Sequence, residues 1–330
     1  MYVHYPITTG DIFHRQDVSL KALDGVSFDV APGESLGIVG ESGCGKSTLA
    51  RAILGLQAPT RGRILWRGEV LNEMDPVYLR EKRKELQIIF QDPVASLNPR
   101  MNIGEIIAEP LRNFYPRMAA LQIEERVKGM MQLVGLLPSQ LNRFPHEFSG
   151  GQCQRVGIAR ALILNPRLVV CDEPVSSLDV SIQAQIVNLL KDLQQKLKLS
   201  LIFIAHDLSV VKSISERVMV MYLGKVMELG PREEIYTQPR HPYTSDLLHA
   251  VPIPDPQIER SKMDLSNYGD TPSPLDPPSG CVFRTRCQAA KQRCAEDVPI
   301  LRRLDGKAQV ACHFAEELDL RVLGNQVKSP

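Results

Sequence analysis

The chain has 330 residues, which suits one large α/β domain with an appendage or two modest domains. Its 39 Lys and Arg nearly cancel its 38 Asp and Glu, which argues against a dedicated nucleic-acid surface. No apolar run approaches the length of a membrane span, and the first ten residues lack a signal-peptide pattern. The composition indicates a globular protein that is made and kept in the cytoplasm.

Short apolar runs alternate with helical patterns from about residue 21 to residue 230. Continuous apolar strands that alternate with helices predict a mainly parallel sheet covered on both faces. The stretch from about 92 to 160 shows helices and loops but no clear strand, and we expect a helical subdomain there. The predicted strands are ESLGIVG, ELQIIF, RLVVCD and LSLIFIA, and the predicted helices are 104–113, 121–135, 151–164 and 182–197.

A glycine-rich loop follows the first of these strands and precedes a helix. Its sequence, GESGCGKST, fits the phosphate-binding pattern G-x-x-x-x-G-K-[ST]. In such a loop Lys46 reaches the β- and γ-phosphate oxygens and Ser47 offers its hydroxyl to Mg²⁺. The alternative, a chance glycine turn, is disfavoured by the strand–loop–helix context. The predicted nucleotide contacts are Gly40, Glu41, Ser42, Gly43, Cys44, Gly45, Lys46, Ser47 and Thr48.

An acidic pair ends the strand in LVVCDEP. We expect Asp172 to hold the Mg²⁺, usually through water, and Glu173 to polarise the attacking water as general base. The alternative is a pair of solvated acids in a loop, but the phosphate loop elsewhere in the chain favours the catalytic interpretation. We interpret Cys44, Cys153 and Cys171 as small buried residues.

A second anion-binding turn lies in EFSGGQCQRVGIARAL, residues 147–162. Its serine can cap the following amphipathic helix, and its glycines expose backbone N–H groups at the helix start. One ATPase domain has no evident need for a second phosphate-binding helix start. The residues concerned are Ser149, Gly150, Gly151 and Gln152.

Four of the seven cysteines lie in the last fifty residues, after a proline-rich connector at 252–279. In a reducing compartment such a cluster suggests a metal rather than disulfides. The spacing C-x₅-C-x₆-C-x₁₇-C is poor for zinc, whose structural sites use tight cysteine pairs. A [4Fe–4S] cluster, zinc and four unmetallated thiols stay open, with His313 as a spare ligand. The cysteines are Cys281, Cys287, Cys294 and Cys312.

Together these motifs resemble the nucleotide-binding subunit of an ATP-binding-cassette (ABC) transporter. FSGGQ resembles the family's signature motif, IIFQDP its Q-loop, SSLD (176–179) its D-loop, and the histidine that ends LIFIAH its switch residue. The resemblance implies an α/β fold of the P-loop ABC type, with a mixed, mainly parallel sheet. It implies a nucleotide-binding domain at 1–230, with the helical subdomain at about 92–160, and an extension at 231–330 with the proline-rich linker and the four cysteines.

The resemblance also implies roles for single residues. Gln91 would sense Mg²⁺ and water, and His206 would contact the γ-phosphate; on their own they would be a strand-end polar residue and a core-edge histidine. Asp179 would belong to the nucleotide site and would also cap a helix. The adenine would stack on Tyr5, with Phe13 as the alternative, although both can be plain surface aromatics.

In this family two cassettes pack head to tail. Each nucleotide then lies between the Gly40–Thr48 loop of one chain and the Ser149–Gln152 turn of the other, which explains the second anion-binding turn. ATP held by two helix N-termini joins the chains, and hydrolysis releases them.

Three further stretches resemble the oligopeptide and dipeptide importer ATPases: QDPVASLNPRMNIGEIIAEPL, RHPYTSDLLHAVPIPDP and SPLDPPSGCVFRTRC. The resemblance implies an ATPase that powers oligopeptide import at the cytoplasmic face of the bacterial inner membrane. Its partners would be two permeases, a second related ATPase and, indirectly, an extracytoplasmic peptide-binding protein. Dipeptide, nickel and antimicrobial-peptide importers use near-identical ATPases and stay open as alternatives. A soluble ABC ATPase is less favoured, because no coiled-coil insertion, tandem cassette or basic stripe is visible.

The family interpretation carries three structural expectations. Residues 92–113 would touch a permease, with Ile103, Ile106 and Ile107 exposed, although plain helix packing explains them equally. Relatives have a cluster-bearing C-terminal region, so the cysteines here would hold [4Fe–4S]. Relatives also have ten or more residues before HYPI, so the first strand is expected to be short or the start to lie upstream.

Overall fold

The structure is a computed structural model that describes residues 1–9, 16–251 and 270–320. The chain folds into two compact units. The first comprises Met1–Asp29, Leu36–Asn72 and His206–Pro330, and the second comprises Val30–Ser35 and Glu73–Ala205. Phe13 and most of the proline-rich connector, 252–269, lie outside the described residues.

The first unit is built on a mixed sheet. Its strands are β1 Tyr2–Thr9, β2 Gln16–Asp24, β3 Ser35–Val39, β4 Leu65–Trp66, β5 Glu69–Val70, β9 Arg217–Tyr222, β10 Lys225–Pro231, β11 Arg302–Arg303 and β12 Gln309–Val310. β3 pairs in parallel with β9, and β10 and β12 continue the sheet in antiparallel fashion, in the order β11-β12-β10-β9-β3. A separate antiparallel hairpin joins β1 to β2, and β4 and β5 form a short ribbon.

The C-terminal extension is part of the first unit's core. Strand β12 pairs with β10 through Glu228↔Val310 and Leu229↔Gln309, so residues beyond 300 lengthen the sheet. The predicted domain boundary at residue 230 stays a prediction. The helices of this unit are α1 Lys46–Ile53, α7 Leu208–Ile214, α8 Arg232–Thr237, α9 Pro242–His249 and α10 Arg293–Glu296.

The second unit has three parallel strands, with β7 between β6 and β8. Every residue of β7 and β8 is buried, as expected for continuous apolar runs covered on both faces. Residues 92–160, all within the described part, contain helices and loops but no strand, as the sequence predicts. Their assignment as a helical subdomain stays a prediction. The elements are β6 Leu86–Ile89, β7 Leu168–Asp172, β8 Ser200–Ile204, α2 Pro76–Lys82, α3 Ile103–Phe114, α4 Ala120–Leu133, α5 Gly150–Leu162 and α6 Val180–Leu197.

Helix α3 corrects one expectation. Ile103, Ile106 and Ile107 are at most 1% exposed, so they do not form an exposed surface for a permease. Asn102 and Glu105 close a reciprocal capping box that fixes the helix start, and the apolar face of α3 packs against α4 and α5. The helix-packing alternative is therefore right, because isoleucines at helical spacing form one face and that face is covered.

In the described part of the chain, no helix is both long and apolar enough to cross a membrane.

Candidate functional site

The phosphate-binding loop adopts the turn that its sequence predicts. Gly45, the last residue before α1, has φ +104°, and a Cβ there would lie 2.3 Å from the carbonyl oxygen of Ala22. Only glycine combines this left-handed backbone with so close an approach. Lys46 is 4% exposed, and its Nζ donates to the carbonyls of Gly40 (2.8 Å) and Glu41 (2.9 Å). The ammonium group is thus fixed at the loop.

The three cysteines outside the C-terminal group are buried, as predicted. Cys44 lies in the phosphate loop, where burial raises the pKa of its thiol even though Lys46 nearby acts in the opposite direction. Cys171 is fully buried, which also raises its pKa. Both residues are therefore neutral thiols near pH 7 and supply packing rather than charge.

The acidic pair stands at the end of β7. Asp172 is buried, at 8% exposure, and Glu173 is half-buried with φ +48°, a left-handed conformation that is strained for an L-residue. The N–H of Glu173 donates to the carbonyl of Ile204, 3.0 Å away. Gln91 Nε2 donates to Glu173 Oε2 at 3.0 Å, so the second unit brings the predicted Q-loop residue and the predicted base together.

The signature helix begins with the predicted cap. Ser149 Oγ accepts from the N–H of Gln152 at 3.3 Å, and Gln152 Oε1 accepts from the N–H of Ser149 at 3.0 Å. This reciprocal capping box fixes the start of α5. The N–H groups of Gly150 and Gly151 belong to the first turn, where no carbonyl of the helix can accept them. The turn is therefore suited to an anion.

The predicted D-loop lies against this turn within the second unit. A Cβ on Gly151 would lie 2.6 Å from Ile182 Cγ2, so α5 approaches the start of α6 closely. The Ser176 hydroxyl donates to the carbonyl of Glu173 at 3.1 Å, which links the D-loop to the acidic pair. Asp179 is the N-cap residue of α6, as predicted, although its side chain makes no capping hydrogen bond.

For two further predicted site residues, the structure gives the position and the exposure. His206 is exposed and follows β8 by two residues. Tyr5 is half-buried in β1, opposite Leu20 of β2.

The four C-terminal cysteines lie together. All of them line one small enclosed cavity, beside His313. Burial raises the pKa of Cys281 to about 11 and that of Cys287 to about 12. Within the described ranges, no three His, Cys, Asp or Glu side chains are arranged to hold one metal ion. A zinc ion draws its sulfurs to about 2.3 Å from one point, so the structure gives no support to zinc.

The fold and these motifs define an ATP-binding cassette, the ATP-hydrolysing subunit of ABC transporters. The family model described as ABC transporter matches residues 23–176. The dimeric post-hydrolysis state of the ATP-binding cassette MJ0796, bound to ADP and Pi, superposes with a TM-score of 0.62 at 28% identity, covering 70% of this chain and 96% of that one. The cbiO1 protein of Clostridium perfringens, part of the ABC transporter complex cbiONQ, covers 66% of this chain and 84% of its own, with a TM-score of 0.60 at 28% identity.

The whole chain narrows the class further. A second family model, Oligopeptide/dipeptide transporter, C-terminal region, matches residues 227–294. The oligopeptide transport ATP-binding protein OppF of Haemophilus influenzae is 60% identical over 91% of each chain, and AppF of Bacillus subtilis is 50% identical over 94% of each. The chain belongs to the family of oligopeptide transport ATP-binding proteins.

Proposed function

We propose that this chain hydrolyses ATP to power the import of oligopeptides across a bacterial inner membrane, from its cytoplasmic face. It works beside a second, related ATPase under two permeases, and an extracytoplasmic binding protein delivers the cargo. The proposal depends on one observation: the likeness to relatives named as oligopeptide transport ATP-binding proteins runs over 91% of the chain and includes the C-terminal region.

The residue roles follow from their chemistry. Lys46 neutralises the β- and γ-phosphates, and the Ser47 hydroxyl and Asp172 hold the Mg²⁺ that accompanies ATP. Glu173 takes a proton from water as the water oxygen bonds to the γ-phosphorus and the bond to ADP breaks. Gln91 donates its amide hydrogen to Glu173, which leaves its amide oxygen for Mg²⁺. His206 contacts the γ-phosphate.

The remaining nucleotide contacts come from a partner chain and from the adenine end. The turn Ser149–Gln152 binds the γ-phosphate held by the partner's loop, with Asp179 beside it, because its capped helix start offers N–H donors to an anion. Tyr5 stacks on the adenine.

We further propose that the four cysteines bind a [4Fe–4S] cluster. Their thiolates would each take one corner, whereas a single ion would require them to converge on one point. The four thiols border one small cavity, and a cluster bound by them would hold the extension together. Anaerobic reconstitution of the full chain with iron and sulfide should give the visible absorption that is typical of iron–sulfur clusters. We expect the absorption to be lost in Cys287→Ser and kept in Cys153→Ser. If the wild type and both variants all lack the absorption, the cluster is disproved.

The transport assignment is tested by trapping the complex. Glu173→Gln should bind ATP without cleaving it and hold the partners, so an affinity pull-down from membranes with Mg-ATP should recover two permeases and a second ATPase. Adding Lys46→Ala to the same chain is the matched control, and it should lose the ATP-dependent second ATPase. Recovery of soluble partners alone would refute the importer assignment.

The cargo is tested separately. Deletion of the gene should abolish uptake of labelled tri- and tetrapeptides, and the plasmid-borne gene should restore it. Unchanged oligopeptide uptake with loss of dipeptide or nickel uptake would assign the chain to one of those importers instead.

A further inference from the structure

Within the first unit, an aromatic cluster holds the segment around Phe283 against β9 and α9. Phe283, from the extension, packs at a ring-centroid distance of 5.3 Å from Tyr222 and 5.2 Å from Tyr243. Tyr222 ends β9, Tyr243 lies in α9, and all three side chains are at most 1% exposed. The backbone after Phe283 is therefore held in a fixed position.

Arg286 extends from this fixed segment to the phosphate-binding loop. Its Nη1 donates to both carboxylate oxygens of Glu41, at 2.8 and 2.9 Å, and the Thr271 hydroxyl donates to Oε2 at 2.7 Å. The Arg286 side chain is 15% exposed and that of Glu41 26%, so the pair is partly shielded from water. Charge-assisted hydrogen bonds of this kind are stronger than neutral ones.

The loop backbone at the same residue is held as well. The N–H of Glu41 donates to the Tyr243 hydroxyl at 2.9 Å, and its carbonyl accepts from Lys46. Burial raises the pKa of Tyr243, which keeps its hydroxyl neutral. Glu41 is thus fixed through its amide, its carbonyl and its side chain.

A carboxylate in a phosphate-binding loop opposes the binding of a polyanion. Arg286 neutralises this charge, and its hydrogen bonds hold the Glu41 side chain against the extension. Resting on the assignment of Gly40–Thr48 as the ATP site, we propose that Arg286 and Tyr243 are positioning residues of the phosphate loop. Through Glu41, the C-terminal extension sets the affinity of the cassette for ATP.

The charge pair is tested by ATP titration calorimetry on the full chain with Mg²⁺. Arg286→Met keeps a long, unbranched side chain but removes the charge that pairs with the Glu41 carboxylate, and should weaken binding about tenfold. Adding Glu41→Gln to that variant should restore most of the affinity, and Arg286→Lys should fall between. Arg302→Ala is the matched control, since Arg302 pairs with Glu316 in the same extension and should leave affinity unchanged.

The outcomes separate positioning from simple stabilisation. Wild-type affinity in Arg286→Met, or a loss that Glu41→Gln does not relieve, would overturn the proposal. In the assembled transporter the same variant should raise KM for ATP with little change in kcat. Lys46→Ala tests the ATP-site assignment itself. If this variant also binds ATP normally, that assignment is wrong, and the result does not bear on the role of Arg286.

The tyrosine contact has its own test. Tyr243→Phe removes the acceptor for the Glu41 N–H while keeping the ring, and should weaken ATP binding severalfold, by an amount typical of one hydrogen bond. Tyr236→Phe removes a hydroxyl that donates to the Leu208 carbonyl elsewhere in the same unit, and should leave binding unchanged. Equal affinities in both variants would exclude Tyr243 from the positioning role.

Discussion

A buried carboxyl group beneath the extension should make folding stability depend on pH. Glu228 lies in β10, is fully buried, and accepts from the N–H groups of Arg240 at 2.8 Å and His241 at 3.0 Å. Burial raises its pKa from 4.5 to about 7, although these two backbone hydrogen bonds act in the opposite direction. The desolvation of the carboxylate therefore outweighs its hydrogen bonds.

The size and sign of the effect follow from linkage. A rise of the pKa from 4.5 to about 7, at about 1.4 kcal/mol per unit, corresponds to about 3.5 kcal/mol. The folded state holds the proton more tightly than the unfolded state does. The stabilising contribution of the Glu228 proton is thus fully present below pH 4.5. It declines as the pH rises from 4.5 to about 7 and changes little above that.

Wild-type protein alone would not isolate this effect. Burial lowers the pKa of His241 to about 3, which destabilises the fold as the pH falls below its ordinary value of 6.5. The two groups therefore act in opposite directions over an overlapping range. Glu228→Gln removes the carboxyl titration and keeps the histidine, so the difference between the two proteins reports Glu228.

Urea unfolding of both proteins at pH 5, 6, 7 and 8 measures that difference. The free energy of unfolding of the wild type should fall relative to Glu228→Gln by about 2 to 3 kcal/mol between pH 5 and 8, mostly below pH 7.5. A constant offset between the two curves is expected from the changed hydrogen bonding. Parallel curves over the whole range would refute the raised pKa of Glu228.

Three further changes test the packing around the motifs. Gly45→Ala should abolish ATP binding, measured by calorimetry, because its Cβ would overlap a backbone carbonyl at a positive φ. Gly151→Ala should lower the ATPase activity of the assembled transporter at least tenfold while ATP binding persists, because its Cβ would overlap Ile182. Gly157→Ala is the control on the same helix and should keep full activity, because a Cβ there meets open space. Phe283→Ala should lower the free energy of unfolding by about 3 to 5 kcal/mol, and an unchanged urea midpoint would contradict its place in the core.

The sequence was informative where structure is local. The apolar runs at 168–172 and 200–204 became fully buried strands, and the serine of FSGGQ capped its helix. A continuous apolar run and a helix cap are both patterns of a few adjacent residues, so the sequence displays them directly. Helical spacing placed Ile103, Ile106 and Ile107 on one face but could not say what covers that face. Only tertiary packing shows that they belong to the core.

The hydrogen bond between Gln91 and Glu173 illustrates the intermediate case. The two residues are 82 positions apart, and only the family resemblance suggested that they work together. Parallel strands explain the outcome, since β6 and β7 pair in register and their carboxyl ends meet at one edge of the sheet.

The pair of Glu41 and Arg286 lies beyond what sequence patterns can predict, because 245 residues separate the partners and each is an ordinary charged residue in its own segment. The phosphate-loop pattern leaves the position of Glu41 unrestricted, so a carboxylate there has no explanation within the loop. The explanation comes from a second segment whose own placement depends on Phe283 and on the pairing of β12 with β10. On the proposal made above, the extension supplies the cation that offsets this acid in a loop that binds a triphosphate. Removing the extension should therefore harm ATP binding unless Glu41 is neutralised as well.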